Sequence, residues 1–317
     1  MLLAGVDIGT LTCRLLIAEV TNDGRLHERR SERRILRLGE GVDRSKALTT
    51  AAMQRVSEAL REWRAIIDGA KVDGETAVAT SAVREAKNRD QFLSLVKEES
   101  GFSVEVISGE EEARRTLLGI RAELLPGVSG ILGLDIGGGS TELIVDRPPR
   151  TPIVRSIDVG VVRLAERALH HDPPTEEEIH DARKWVRTSI ESVRQTLGPI
   201  RDLTLLGTAG SVTTLAAMAQ QLPAYVSARI HNYRLGLDVI RRLESDILSR
   251  RSDQRRGMHG LEAGREGVIA AGVLLLRQAM EVLGHTELLV SDYGLREGML
   301  IDLAQRLKRS AQPSAHS

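Results

Sequence analysis

Aromatic side chains are scarce: Phe, Trp and Tyr together make up 2% of the 317 residues. That excludes the repeated stacking platforms on which single-stranded nucleic acid is held. Cysteine occurs once, at Cys13, which excludes an internal disulfide framework and suits a reducing compartment. Net charge is absent as well, with 44 basic side chains against 44 acidic ones. Any attraction to a polyanion or a membrane must therefore come from local patches. Long apolar runs are missing too. The longest, GVIAAGVLLL at 267–276, is too short for a bilayer and reads as a buried helix. The opening MLLAGVDIG has no basic leader and meets Asp7 too early for a signal peptide. These absences predict a cytoplasmic protein with neither nucleic acid nor membrane as partner.

What is present is a globular composition, 41% hydrophobic and 28% charged, at a length that suits two domains. One pattern occurs twice. GVDIGTLTCRLLI at 5–17 and GLDIGGGSTELIV at 133–145 share an apolar strand, an acid, a turn of glycine and hydroxyl residues, and a second apolar strand. Asp7 matches Asp135, Gly9 matches Gly137, and Thr12 matches Ser140. Each copy reads as a β-hairpin. Glycines let backbone approach a ligand and adopt positive φ, and successive N–H groups in such a turn can hold an anion. An acid at the strand end offers a hard oxygen to Mg²⁺ or another divalent cation. The doubling favours phosphate binding over two ordinary hairpins.

Strands and helices alternate through the rest, which predicts α/β architecture with mixed sheets. Residues 49–69 have helical periodicity and a glycine stop. Ser81 and Thr175 stand where helix caps belong, and Ser108 with Glu111 has capping-box spacing. PGVSG at 126–130 reads as a joint. The predicted domains are 1–125 and 126–295, with a last helix at about 296–309 packing back on the first and a disordered polar tail at 310–317.

Two such hairpins and a third glycine-rich loop, GTAGSVTT, resemble the actin-like ATPase superfamily. ATSAVREAKN, VISGEEEAR, LDIGGGSTEL, DPPTEEEI and LLVSDYGLREG, in that order, narrow the resemblance to the exopolyphosphatase / guanosine pentaphosphate phosphohydrolase (Ppx/GppA) family over roughly residues 2–305. The resemblance implies two actin-like (ribonuclease H-like) domains with mixed sheets flanked by helices and an active-site cleft between them. It implies hydrolysis of the terminal phosphoanhydride of polyphosphate, with guanosine pentaphosphate as the alternative substrate. It places the general base at Glu112 and Mg²⁺ on Asp135 and Glu142. Phosphate would meet Gly137, Gly138, Gly139 and Ser140 in one half, and Asp7, Gly9, Thr10 and Thr12 in the other. Arg84 and the third-loop residues Gly207, Gly210 and Ser211 complete the implied set. Plainer readings stand beside these: a solvated helix arginine for Arg84, and a tight strand-to-helix turn for the third loop.

The chain departs from the family pattern twice. An amide of the first loop is replaced by Leu11, and Ala209 stands where a glycine is usual. HHD at 170–172 reads as a surface turn rather than a metal site. RRSERRILR and SRRSDQRR are either solvated faces or positive tracks for a polyanion. Rival readings from other classes are an actin-like phosphotransferase and a non-catalytic nucleotide sensor. The oligomeric state stays open.

Overall fold

The computed structural model describes residues 1–311. The chain divides into two compact units, one of residues 1–124 and 293 onward, the other of residues 125–292.

The first unit is built on a five-stranded sheet of β1 (Leu2–Ile8), β2 (Thr12–Val20), β3 (Leu26–Ile35), β4 (Gly74–Ala79) and β5 (Val104–Val106), in the order β3-β2-β1-β4-β5. The first three strands form an antiparallel meander, while β4 and β5 run parallel to β1. β1 is apolar at nearly every position because both of its faces are covered. Ala4, Val6 and Ile8 pack with Val56, Leu60, Trp63 and Ile67 of α1 (Thr50–Ala70). Leu3, on the other face, packs with Leu300, Ile301 and Leu303 of the last helix. β3 is the exposed edge, and its run of charged residues guards it against pairing with another chain.

Helix α2 (Gly109–Ala122) follows β5. Only half of the predicted capping box forms. Ser108 Oγ accepts from the Glu111 N–H at 3.2 Å, but the Glu111 carboxylate turns to Arg114 and Arg115 at 2.7 and 2.6 Å. Hydrogen bonds from Arg114, then Arg115, lower its carboxyl to about 2 despite partial burial. The short helical turn after β4 is entered through Thr80 with no side-chain cap, so Ser81 is not the predicted cap.

Later in the chain come α3 (Val161–Ala168), α4 (Glu176–Arg194), α5 (Gly210–Ala219), α6 (Ile269–Leu283) and α7 (Leu295–Ala311). Thr175 and Glu178 form a full capping box on α4. The predicted tail is corrected at its start, since α7 runs through Ser310 to Ala311; residues 312–317 lie outside the described residues.

Glycine is dictated where α7 crosses α2. A Cβ on Gly298 would stand 1.6 Å from the Arg115 carbonyl oxygen, and one on Gly119 2.0 Å from that of Gly294. Asp302 accepts from Arg114 at 2.6 Å on the same side. Gly298→Ala therefore has to push two backbones apart. Overpacking ordinarily costs about 1–3 kcal/mol, and because backbone yields less than a side chain the expected loss is at least about 3 kcal/mol. A urea midpoint equal to wild type would refute the crossing.

The second unit carries β6 (Ile131–Ile136), β7 (Thr141–Asp146), β8 (Ile153–Ile157), β9 (Thr204–Thr208), β10 (Arg234–Gly236) and β11 (Glu287–Val290), in the order β10-β11-β9-β6-β7-β8. β6 to β8 repeat the antiparallel meander; β9 and β11 run parallel to β6, and β10 closes the edge antiparallel. The apolar run at 267–276 enters α6, which is buried along almost its whole length. Both units are mixed sheets flanked by helices, as the resemblance implies. Among the described residues no helix is long and apolar enough to cross a membrane.

Candidate active site

The two matching hairpins close in the same way. Gly9 N–H donates to the Thr12 carbonyl at 3.1 Å, and Gly137 N–H donates to the Ser140 carbonyl at 3.0 Å. A Cβ on Gly9 would sit 2.8 Å from the Thr12 oxygen, and one on Gly137 3.0 Å from that of Ser140. Space, not torsion, demands glycine here. None of Gly9, Gly137, Gly138 and Gly139 has positive φ, which corrects the expectation from sequence.

The carbonyls of the second turn all face one way. Gly137 O accepts from Val161 N–H at 3.0 Å, Gly138 O from Val162 at 2.8 Å, and Gly139 O from Arg163 Nε at 2.9 Å. In a trans peptide the N–H points opposite to the carbonyl. The N–H groups of Gly138, Gly139 and Ser140 are thereby turned to the other side, as a concavity for an anion. The first turn repeats the device on a smaller scale. Thr10 O accepts from Gly39, and Leu11 O accepts from Leu36 and Arg37, which turns the Leu11 and Thr12 N–H groups outward. The Leu11 side chain is buried, so its loss of an amide leaves this backbone arrangement intact.

Sequence reasoning missed the residues that hold the second turn. Gly160 is one: a Cβ there would meet Gly138 and Gly139 backbone at 2.4–2.5 Å. Buried Arg163 is the other. The readable signal was a glycine between valines immediately before a helix.

In the first unit the parallel strands β1, β4 and β5 bring three segments to one sheet edge: the first turn, the turn bearing Arg84, and the start of α2. Glu112 is buried in the first turn of α2. Arg84 Nη1 donates to the Ile107 carbonyl at 2.8 Å and to Glu112 Oε2 at 3.3 Å. Arg84 is thus fixed beside Glu112 and is no freely solvated helix arginine. Asp7 is buried at the end of β1, and its neighbour in the β1–β2 register is Arg14.

At the equivalent place in the second unit the pair is different. Asp135 lies directly opposite Glu142, and both are buried. Opposite residues in an antiparallel pair project from the same face. Ser156 Oγ donates to Glu142 Oε1 at 2.8 Å. Among the described residues no group of three or more His, Cys, Asp or Glu could hold a metal by itself. Two hard carboxylates beside an anion cradle nevertheless fit Mg²⁺, which takes one or two carboxylates and completes its shell with water and phosphate oxygens.

The third loop divides. Gly210 and Ser211 open α5, whose N-terminal N–H groups suit an anion. Gly207 does not belong with them. It lies inside β9, where a Cβ would stand 2.1 Å from Leu288 Cδ1, so packing already demands glycine there. Ala209 has φ 72°, so the departure from the usual glycine is a strained backbone position as well as an added methyl. Arg265 was also missed: buried and paired with Glu262 at 2.6 Å, its guanidinium lies 2.1 Å from where a Gly210 Cβ would be.

The sequence model of the Ppx/GppA phosphatase family matches residues 16–307. The chain belongs to this family. It is 35% identical to exopolyphosphatase 2 of Mycobacterium tuberculosis, over 95% of this chain and 98% of that protein. It is 27% identical to the guanosine-5'-triphosphate,3'-diphosphate pyrophosphatase of Aeromonas hydrophila, over 95% of this chain but 59% of that protein. The structure of the Aquifex aeolicus Ppx-GppA enzyme superposes with a TM-score of 0.80 at 33% identity, over 95% of this chain and 99% of that one.

The basic runs lie at residues 29–37 and 249–256. Much of their charge is already matched. Arg29 pairs with Glu19, Arg30 with Glu32, and Arg34 with Glu62. In the second run Arg250 pairs with Asp246, Arg251 with Asp253, Arg255 with Asp172, and Arg256 with Glu266. The HHD segment serves helix ends: His171 meets Glu178 at 2.8 Å, and Asp172 accepts from Ser252 N–H at 2.8 Å. Cys13 is buried, and burial, then the Asp7 charge, raises its pKa, so it remains a thiol and offers no nucleophile.

Proposed function

We propose that the protein is a Mg²⁺-dependent exopolyphosphatase, acting on the terminal phosphoanhydride of polyphosphate in the cytoplasm. The observation that carries this reading is the Asp135–Glu142 carboxylate pair beside three amides turned to one side at residues 138–140. The relatives' names agree with it. Glu112 takes a proton from water, and the water oxygen attacks the terminal phosphorus. The bridging oxygen leaves with its electron pair on the shortened chain. Arg84, which donates to Glu112 Oε2, keeps the carboxylate oriented. The Gly138, Gly139 and Ser140 amides, the Ser140 hydroxyl and the α5 N-terminus hold phosphate oxygens, and the first-unit turn of Asp7, Gly9, Thr10 and Thr12 offers a phosphate contact of its own. Phosphoryl transfer needs positioning and charge stabilisation more than covalent help. Magnesium, when held by Asp135 and Glu142, supplies neutralisation of phosphate charge. Hydrolysis of guanosine pentaphosphate is the second reading, favoured by the exposed ring of Tyr225, a face on which a base can stack.

The test compares phosphate release from polyphosphate, guanosine pentaphosphate and ATP by one preparation. Polyphosphate is expected to be cleaved well, and no release from it would overturn the reading. Because the basic runs are largely ion-paired, long chains should be gripped weakly away from the reacting end. Gels of partly digested long polyphosphate should then show the whole population shortening together. Full-length chains coexisting with free phosphate, without intermediates, would show a processive grip and refute that part.

A further inference from the structure

Aromatic rings are few, and Trp63, Phe92 and Phe102 are fully buried. Tyr225 is different. It is 38% exposed and stands beside Val226 at 43%. Both belong to an exposed stretch, 223–229, anchored by buried Leu222 and Ile230. Leu222 N–H donates to the Ala217 carbonyl at 3.0 Å, and Gln220 Nε2 donates to the Arg229 carbonyl at 2.9 Å. Asn232 N–H then donates to the Val290 carbonyl at 2.7 Å, which brings the end of the stretch to the carboxyl end of β11. The Tyr225 hydroxyl donates to the Asp292 carboxylate, and the Asp292 N–H donates to His231 Nδ1 at 3.4 Å. An exposed ring is thus tethered by its far end, and less freedom is lost when a flat ligand settles on it.

The site of this tether decides what could settle there. β11, β9 and β6 are parallel neighbours, with Val290 beside Gly207 and Thr208 beside Asp135. Asp292 and Asp135 therefore lie at one carboxyl edge, two strand spacings or about 10 Å apart across the sheet. A phosphate chain and a ribose together span such a distance. A bare polyphosphate gains nothing from an apolar ring and is repelled by the Asp292 carboxylate. A nucleobase has a face to stack, and guanine has N–H donors for a carboxylate with acceptor capacity left. We infer that Tyr225, with Val226 beside it, is the platform for the base of a guanosine polyphosphate whose terminal phosphate lies in the 137–140 turn. The inference rests on the phosphate-binding reading of that turn.

Calorimetric titration of the whole chain with GTP and with tripolyphosphate, both with Mg²⁺, tests it. Loss of a stacking aromatic typically weakens binding on the order of tenfold or more. Tyr225→Ala should weaken GTP by about that factor while leaving tripolyphosphate affinity and phosphate release from it within about twofold. Tyr225→Phe, which keeps the ring but loses the tether, should fall between. The platform is refuted if wild type binds GTP no tighter than tripolyphosphate. It is equally refuted if Tyr225→Ala weakens both ligands alike, or neither. Absence of tripolyphosphate binding to wild type would instead sink the phosphate-binding reading itself.

Discussion

Glu112→Gln is expected to reduce polyphosphate hydrolysis by about 10²–10⁴-fold, the usual value of a general base. Glutamine keeps the size of the side chain and an oxygen for Arg84, which lies 3.3 Å from Glu112 Oε2. It cannot take a proton from water. The helix that carries it is anchored elsewhere, by Ser108 at its cap and by Glu111 with Arg114 and Arg115. The anchor also survives acid. With its carboxyl lowered to about 2, Glu111 contributes stability above the ordinary glutamate range, and that contribution is lost only as pH falls toward 2. The fold of the variant should therefore be unchanged by circular dichroism, and substrate affinity should change far less than turnover. Near-normal turnover in a folded variant would remove Glu112 from the mechanism.

Asp135→Asn should raise the Mg²⁺ concentration needed for half-maximal activity, by more than the roughly 10–100-fold that loss of an outer partner of a metal site costs. An amide oxygen is a poorer ligand for a hard cation than a carboxylate. The partner across the ladder, Glu142, stays in place with Ser156 at 2.8 Å, so the site is weakened and not abolished. Calorimetric titration with Mg²⁺ and a non-hydrolysed triphosphate reads the same loss without relying on turnover. Activity of the unaltered protein that survives complete chelation would show that the pair holds no required metal.

The sequence by itself determined the two strand–turn–strand hairpins, because apolar runs broken by glycine and hydroxyl residues have one local solution. It also determined the α/β alternation and, through five short motifs, the family. It marked Glu112, Asp135 and Glu142 as candidates by type and spacing. Tertiary structure decided what spacing does not encode. It set Asp135 opposite Glu142 but Asp7 opposite Arg14, since register depends on which strands pair. It set Gly207 inside β9 against Leu288, and matched Arg34 and Arg255 of the basic runs with acids distant in sequence. It also supplied Gly160 and Arg163 to aim the amides of the 137–140 turn, and Arg265 to the start of α5. A chain pattern fixes the direction of a residue within its own element. Which distant groups lie against it is settled only when the sheets assemble and the helices close over them.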